Sequence, residues 1–215
     1  MNEDLEFRRA RPADAARIVE IIRQAQAQMR ASGSRQWQDG YPAPTHIDDD
    51  IARGYGYVLC KPAAEAVPGG PAPGGSAAGN NTTGNSAAGN SEDGNNENGN
   101  SEAGNSGTVI AYGAAIFDGE PAYEAIEGAW LTGCDYVVLH RLAVADGEKG
   151  RGVAAEFMHR VEAAARRRGV GSFRADTNFD NRYMLRLLER QGFAYCGKIR
   201  YESGERLAFE KPFGL

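Results

Sequence analysis

The sequence predicts an α/β domain on a mixed sheet containing a parallel pair of strands. Three observations carry this reading. Apolar runs in the first half pair naturally as an antiparallel hairpin. The second half runs strand, helix, strand, helix, strand. Between them lies a low-complexity stretch, 62–107, with the composition of neither.

In the first half, Leu5-Glu6-Phe7-Arg8-Arg9 alternates as a half-buried strand does. Pro12 suits a first helical turn, and Asp14 sits favourably near the positive helix end. Ile18, Ile22, Ala25 and Met29 follow at helical spacing, and Gly33 ends the run. A short helix around His46–Ala52 leads to a strand at Gly56–Cys60. A further strand, Thr108–Phe117, resumes after the low-complexity stretch, so the two form a hairpin with an expanded tip. Such tips tolerate insertions because closure entropy grows only with the logarithm of loop length.

Residues 62–107 collapse to Gly, Asn, Ser, Ala and Pro, with a Gly-Asn step every five residues from Gly79-Asn80 to Gly104-Asn105. Val67 is their only large aliphatic, so the segment is expected to be a disordered insertion within a single domain spanning 1–215. Its acids, Glu65, Glu92, Asp93, Glu97 and Glu102, account for the whole net charge of −5. The remainder is formally neutral, with no basic excess to release counterions from nucleic acid. No apolar run approaches the roughly 20 residues of a membrane helix. The N-terminus has neither a basic start nor an apolar stretch, so no secretory leader is expected. Cys60, Cys134 and Cys196 stand singly, with no C-x-x-C, and read as free thiols in a reducing cytoplasm.

The second half is denser in signal. Tyr136–Val144 is a strongly apolar strand. After it, Asp146–Arg151 opens a helix with Val153, Phe157, Val161 and Ala164 on one face. Arg166, Arg167 and Arg168 fill its last turn and Gly169 follows, which marks a helix end. Phe173–Asp176 is a strand. Asp180 is the expected cap of a helix carrying Met184, Leu187 and Leu188 inward and ending at Gly192. Ala194–Tyr201 and Arg206–Glu210 complete the sheet.

The chemistry gathers at Lys149-Gly150-Arg151-Gly152-Val153-Ala154. Unpaired amides at a helix start receive phosphate oxygens, and glycine lets a pyrophosphate approach the backbone. Lys149 and Arg151 add positive charge there. A plain tight turn needing glycine accounts for the spacing equally well. Gly150-x-Gly152-x-x-Ala155, with Asp176 further on, also fits a dinucleotide fingerprint, although Asp146–Lys149 intervene after the strand.

The stretch Lys149–Ala154 resembles the [RQ]-x-x-G-x-[GA] signature of the GCN5-related N-acetyltransferase (GNAT) superfamily, with Lys in place of Arg or Gln. Asn181 and the helix running into Gly192-Phe193 resemble the family's N-x-x-A-x-x-L-Y-E-x-x-G-F ending. The resemblance covers everything except 62–107. It implies a mostly antiparallel central sheet with one parallel pair and helices on both faces. It also implies an acetyl-CoA cosubstrate and no metal. Leu142, Ala143 and Val144 would offer backbone to the pantetheine arm like an added strand. Lys149, Gly150 and the amides of Arg151, Gly152, Val153 and Ala154 would take the pyrophosphate, and Asn181 would lie beside the thiol end.

The family's thiolate-protonating tyrosine falls on Leu188, so Tyr183 and Tyr195 are considered as substitutes. His140 and Glu127 are candidate bases for the acceptor amine, beside the plainer readings of a buried histidine and a solvated loop acid. Gln36, Trp37 and Tyr41 are expected to wall an acceptor pocket, unless the aromatics merely cap the core. The implied reaction is acetyl transfer to a primary amine by direct attack in a ternary complex. Its acceptor is a small molecule or peptide, with no nucleic-acid or membrane partner; a homodimer is left open. The alternatives are a non-catalytic acyl-CoA-binding module on the same fold and a dinucleotide-dependent oxidoreductase.

Overall fold

The computed structural model describes residues 5–62 and 107–214. The expected insertion therefore lies outside the described residues apart from its two ends. The strands are β1 (Glu6–Arg9), β2 (Gly56–Lys61), β3 (Thr108–Ile116), β4 (Glu127–Gly128), β5 (Tyr136–Val144), β6 (Ser172–Thr177), β7 (Ala194–Tyr201) and β8 (Gly204–Pro212). The helices are α1 (Ala15–Ala31), α2 (Pro44–Ala52), α3 (Val153–Arg167) and α4 (Arg182–Arg190). One eight-stranded sheet runs in the order β1-β2-β3-β5-β6-β8-β7-β4. Only β5 and β6 pair in parallel; every other neighbouring pair is antiparallel.

Each face carries helices because each strand alternates its side chains between two apolar surfaces. On one face, Ile18, Ile21 and Ile22 of α1 and Ile47 of α2 pack on Val58, Cys60, Val109 and Tyr112. On the other, Val153, Phe157 and Val161 of α3 and Leu188 of α4 pack on Leu59, Ala111, Leu139 and Phe173. Among the described residues, no helix is long and apolar enough to cross a membrane. Cys60 and Cys196 are buried free thiols and Cys134 is an exposed one.

The predicted elements form, with small changes at their ends. Two assignments change: Ala165, not Ala164, is the buried alanine of α3, and the cap of α4 moves by one residue. Asn181, not Asp180, occupies that position, its side-chain oxygen accepting from the amide of Met184 at 3.1 Å. Asp180 instead accepts from Ser34 Oγ at 2.6 Å and the amide of Arg35 at 2.9 Å, pinning the loop after α1.

Two irregularities of β5 shape the molecule. Tyr112 faces Ala143 and Ala114 faces His140, so Gly113 alone opposes both Arg141 and Leu142. This is a β-bulge, with Arg141 left-handed at φ 58°. Gly113 must be glycine: a Cβ there would meet the Phe157 ring at 2.8 Å. The second irregularity is that β5 pairs with β6 only at Tyr136–Val138. Beyond Val138 the strands part, while β5 stays on β3 as far as Val144.

Candidate active site

The parting of β5 from β6 opens a cleft of about 760 Å³. Its walls include Gln36, Trp37 and Tyr41 from the loop after α1, His140, Arg141 and Leu142 from β5, and Asn178 to Asn181 from the loop before α4. Backbone alternation decides what β5 offers to the opening. The amide of Ala145 donates to Ile110 of β3 at 2.9 Å, so Ala143, two residues back, also faces β3. The Leu142 carbonyl and both peptide groups of Val144 therefore face the opening. Ala143 was expected to bind the cofactor with its neighbours, but its backbone is committed to the sheet and its side chain is buried.

At the end of β5 a short 3-10 helix, Asp146–Glu148, leads into the glycine turn. Gly150 and Gly152 have φ of 77° and 80°, left-handed values that favour glycine. No atom lies within 4 Å of a Cβ built at either, so the space over the turn is open. Gly152 is the N-cap of α3 and no side chain caps the first amides there. Exposed amides, open space and no competing cap fit a pyrophosphate. The Lys149 ammonium pairs with Asp146 at 2.6 Å, whereas the Arg151 side chain is well exposed, 3.7 Å from Glu148.

Asn181 lines the cleft, but its side chain is engaged: the oxygen caps α4, and the amide nitrogen donates to Gln36 Oε1 at 2.9 Å. Gln36 also accepts from Thr177 Oγ1 at 3.2 Å, so the proposed acceptor wall is stitched to the end of β6. Tyr41 accepts from Arg141 Nη1 at 2.7 Å. Arg141 in turn grips buried Asp50 of α2 through Nε at 2.7 Å and a second nitrogen.

His140 stands on the cleft floor between two carboxylates. Its Nε2 lies 3.0 Å from Glu120 Oε2 and its Nδ1 3.8 Å from Asp176 Oδ1. The hydrogen bond from His140 holds the Glu120 carboxyl below its ordinary range. Asp176 Oδ1 accepts the hydroxyls of Tyr123 at 2.7 Å and Tyr201 at 3.3 Å. Burial, reinforced by Asp176, pushes both tyrosine hydroxyls up, so they remain protonated donors. One oxygen of Asp176 is thus taken up by tyrosines rather than turned toward a ribose, as the dinucleotide reading requires.

Glu127 is not on this floor. It sits on β4 at the far edge of the sheet, exposed, with Oε1 2.7 Å from Arg200 Nε. Leu188 is fully buried in the α3–α4 core. Tyr183 and Tyr195 are exposed and neither lines the cleft; Tyr201 does. Sequence reasoning missed Glu120, Asp176 as a floor residue, and Tyr201. The one available sign was Glu120-Pro121, an oxygen-bearing side chain just before a helix-opening proline, where Glu120 accepts from the amide of Ala122 at 3.3 Å.

Residues 89–193 match the model of the acetyltransferase (GNAT) family. A GNAT-family acetyltransferase from Streptococcus agalactiae superposes with a TM-score of 0.71 at 28% identity, covering 99% of this chain and 98% of that one. Residues 89–193 carry a GNAT acetyltransferase domain. Two more distant structures share the fold of this chain. The ribosomal-protein-S18-alanine N-acetyltransferase of Escherichia coli gives a TM-score of 0.52 at 11% identity, covering 98% of this chain and 95% of its own. The NatC complex bound to Gag peptide and CoA gives 0.52 at 11%, covering 98% and 99%. No curated protein sequence matches this chain.

Proposed function

We propose that the protein transfers an acetyl group from acetyl-CoA to the primary amine of a small-molecule or peptide acceptor, by direct attack in a ternary complex. The observation that carries this reading is the opening between β5 and β6, with a glycine turn beyond one end and His140 on its floor. An extended, amide-bearing ligand can complete such an unpaired strand edge. Backbone groups of Leu142 and Val144 would hold the pantetheine arm. Gly150 and the amides of Arg151, Gly152, Val153 and Ala154 would hold the pyrophosphate, with Lys149 and Arg151 adding positive charge.

The bound cosubstrate supplies an activated thioester; the chain supplies position and a proton acceptor. An ammonium is not nucleophilic, so His140 accepts its proton next to the acceptor wall of Gln36, Trp37 and Tyr41. Asn181 acts through Gln36 by fixing that wall against β6. The named activities of the structural neighbours, a ribosomal-protein alanine acetyltransferase and a complex holding a peptide with CoA, support an amine acceptor.

The test is thermal unfolding with and without acetyl-CoA, followed by thiol release across a panel of primary amines. Ligand at about 100 times its dissociation constant adds roughly 2.7 kcal/mol, a shift of several degrees for a domain this size. A shift with acetyl-CoA but not NAD, plus amine-dependent thiol release, is expected. No shift would remove the cofactor reading. A shift without release from any amine would favour a non-catalytic acyl-CoA-binding module, the reading to which buried Leu188 points.

A further inference from the structure

We infer that Glu120 is a positioning residue for acetyl transfer: it fixes His140 as the Nε2–H tautomer and so presents the Nδ1 lone pair to the acceptor amine. This rests on the proposed role of His140 as the proton acceptor.

A neutral imidazole has one N–H and one lone pair, and only the lone pair can take a proton. The two nitrogens of His140 have different surroundings. Nε2 is at hydrogen-bonding distance, 3.0 Å, from Glu120 Oε2. Nδ1 lies 3.8 Å from Asp176 Oδ1, beyond hydrogen-bond reach. That oxygen already receives Tyr123 and Tyr201. An ionised carboxylate has no proton to give, so the hydrogen between Glu120 and Nε2 belongs to the imidazole.

Glu120 is itself fixed. Its second oxygen accepts from the Ala122 amide at 3.3 Å, and its own amide donates to the Tyr136 hydroxyl at 3.2 Å. The carboxylate therefore cannot swing to the other ring nitrogen. Nδ1 is left with its lone pair beside a carboxylate, where an incoming ammonium finds a base and a counter-charge together. A partner that sets the tautomer of a working histidine is a recurrent device; at metal-ligating histidines its loss costs about 10–100-fold.

The discriminating variant is Glu120→Gln. Glutamine keeps the size but brings an N–H₂ that can donate to Nε2, which moves the ring proton to Nδ1. Long-range ¹⁵N–¹H NMR reads the tautomer directly, and His140→Gln identifies the signal among the three histidines. We expect wild-type His140 as Nε2–H and Glu120→Gln with substantial Nδ1–H. In the variant, kcat on the best amine of the panel should fall about 10–100-fold, with the KM for acetyl-CoA within about twofold.

An Nδ1–H wild-type ring, or a Glu120→Gln kcat within threefold of wild type while His140→Gln is inactive, overturns the inference alone. Full activity in His140→Gln would instead overturn the base assignment. If no amine is turned over, the NMR measurement still decides the tautomer.

Discussion

Arg141 and Asp50, 91 positions apart in the chain, form a two-pronged ion pair directly beneath the β5 bulge. The Asp50 side chain is 4% exposed and that of Arg141 12%. Asp50 Oδ2 also takes the hydroxyl of fully buried Tyr112 at 2.5 Å. The left-handed backbone of Arg141 costs roughly 1–2 kcal/mol, and this fork of hydrogen bonds holds it in place. One guanidinium thereby joins α2, the bulge and, through Tyr41, the cleft wall formed with Gln36 and Trp37.

Asp50→Asn should accordingly be expensive. Removing one partner of a buried pair leaves the other charge uncompensated, typically about 3–5 kcal/mol. Tyr41→Phe, which deletes one hydroxyl at a partly exposed position, should cost no more than about 1 kcal/mol. Urea unfolding of both variants checks this. A loss below about 1 kcal/mol for Asp50→Asn would show that the bulge stands without the pair.

The acid limb of stability should depend on Glu210 and Asp14. Burial works to raise both carboxyls. It is outweighed at Glu210 by hydrogen bonds from Thr132 and Arg174, and at Asp14 by those from Arg8 and the Arg11 amide, leaving both below the ordinary range. With folded values depressed, the unfolded chain binds more protons. Their contribution is complete above the unfolded value of about 4 and is lost as pH falls through the folded values. The urea midpoint should be flat between about pH 7 and 5 and drop below about pH 4. Glu210→Gln should lower the plateau and make that drop shallower; an unchanged acid limb would exclude Glu210 as a contributor.

Gly152→Val tests the turn. Gly169, past the end of α3, shares its left-handed backbone at φ 73° and is equally open. Both Gly152→Val and Gly169→Ala should lower the melting temperature through backbone strain. Only Gly152→Val should also weaken acetyl-CoA binding, by about tenfold or more (about 1.4 kcal/mol), because its branched side chain fills the space over the amides. Equal affinities measured by calorimetry would reduce the turn to a turn.

Lys61 pairs directly with Thr108, so the β2–β3 ladder runs up to both ends of the 62–107 segment. Replacing 62–107 with Asn-Gly, which suits a two-residue hairpin, should preserve cooperative unfolding and the acetyl-CoA shift. A melting temperature lower by ten degrees or more would give the replaced residues a structural role.

What the sequence made legible follows from range. The Tyr136–Val144 strand, the α3 helix with its terminal arginines, and the glycine turn are local patterns, and local patterns report period and punctuation directly. Glu120 reaches His140 across 20 positions and Asp50 reaches Arg141 across 91. No periodicity encodes which loop carboxylate swings over a given strand. Glu127 illustrates the converse. It lay in the right loop by chain order, yet its two-residue strand pairs with β7 and carries it to the sheet edge. The cap of α4 went to Asn181 because Asp180, one position earlier, was drawn off by Ser34 and Arg35, partners some 145 residues away.

The three-residue seam between β5 and β6 makes the sheet resemble a book with a short spine. One leaf is β1-β2-β3-β5, the other β6-β8-β7-β4; among the described residues they are stitched by the Tyr136–Val138 pairing and, next to it, the Gly171 amide donating to the Asp135 carbonyl at 3.0 Å. Any ligand that pairs with both margins lengthens the spine. Occupancy would then register far from the ligand, as slower amide exchange where the two leaves would otherwise breathe apart. The gap proposed for the cosubstrate would then double as the joint between the two leaves.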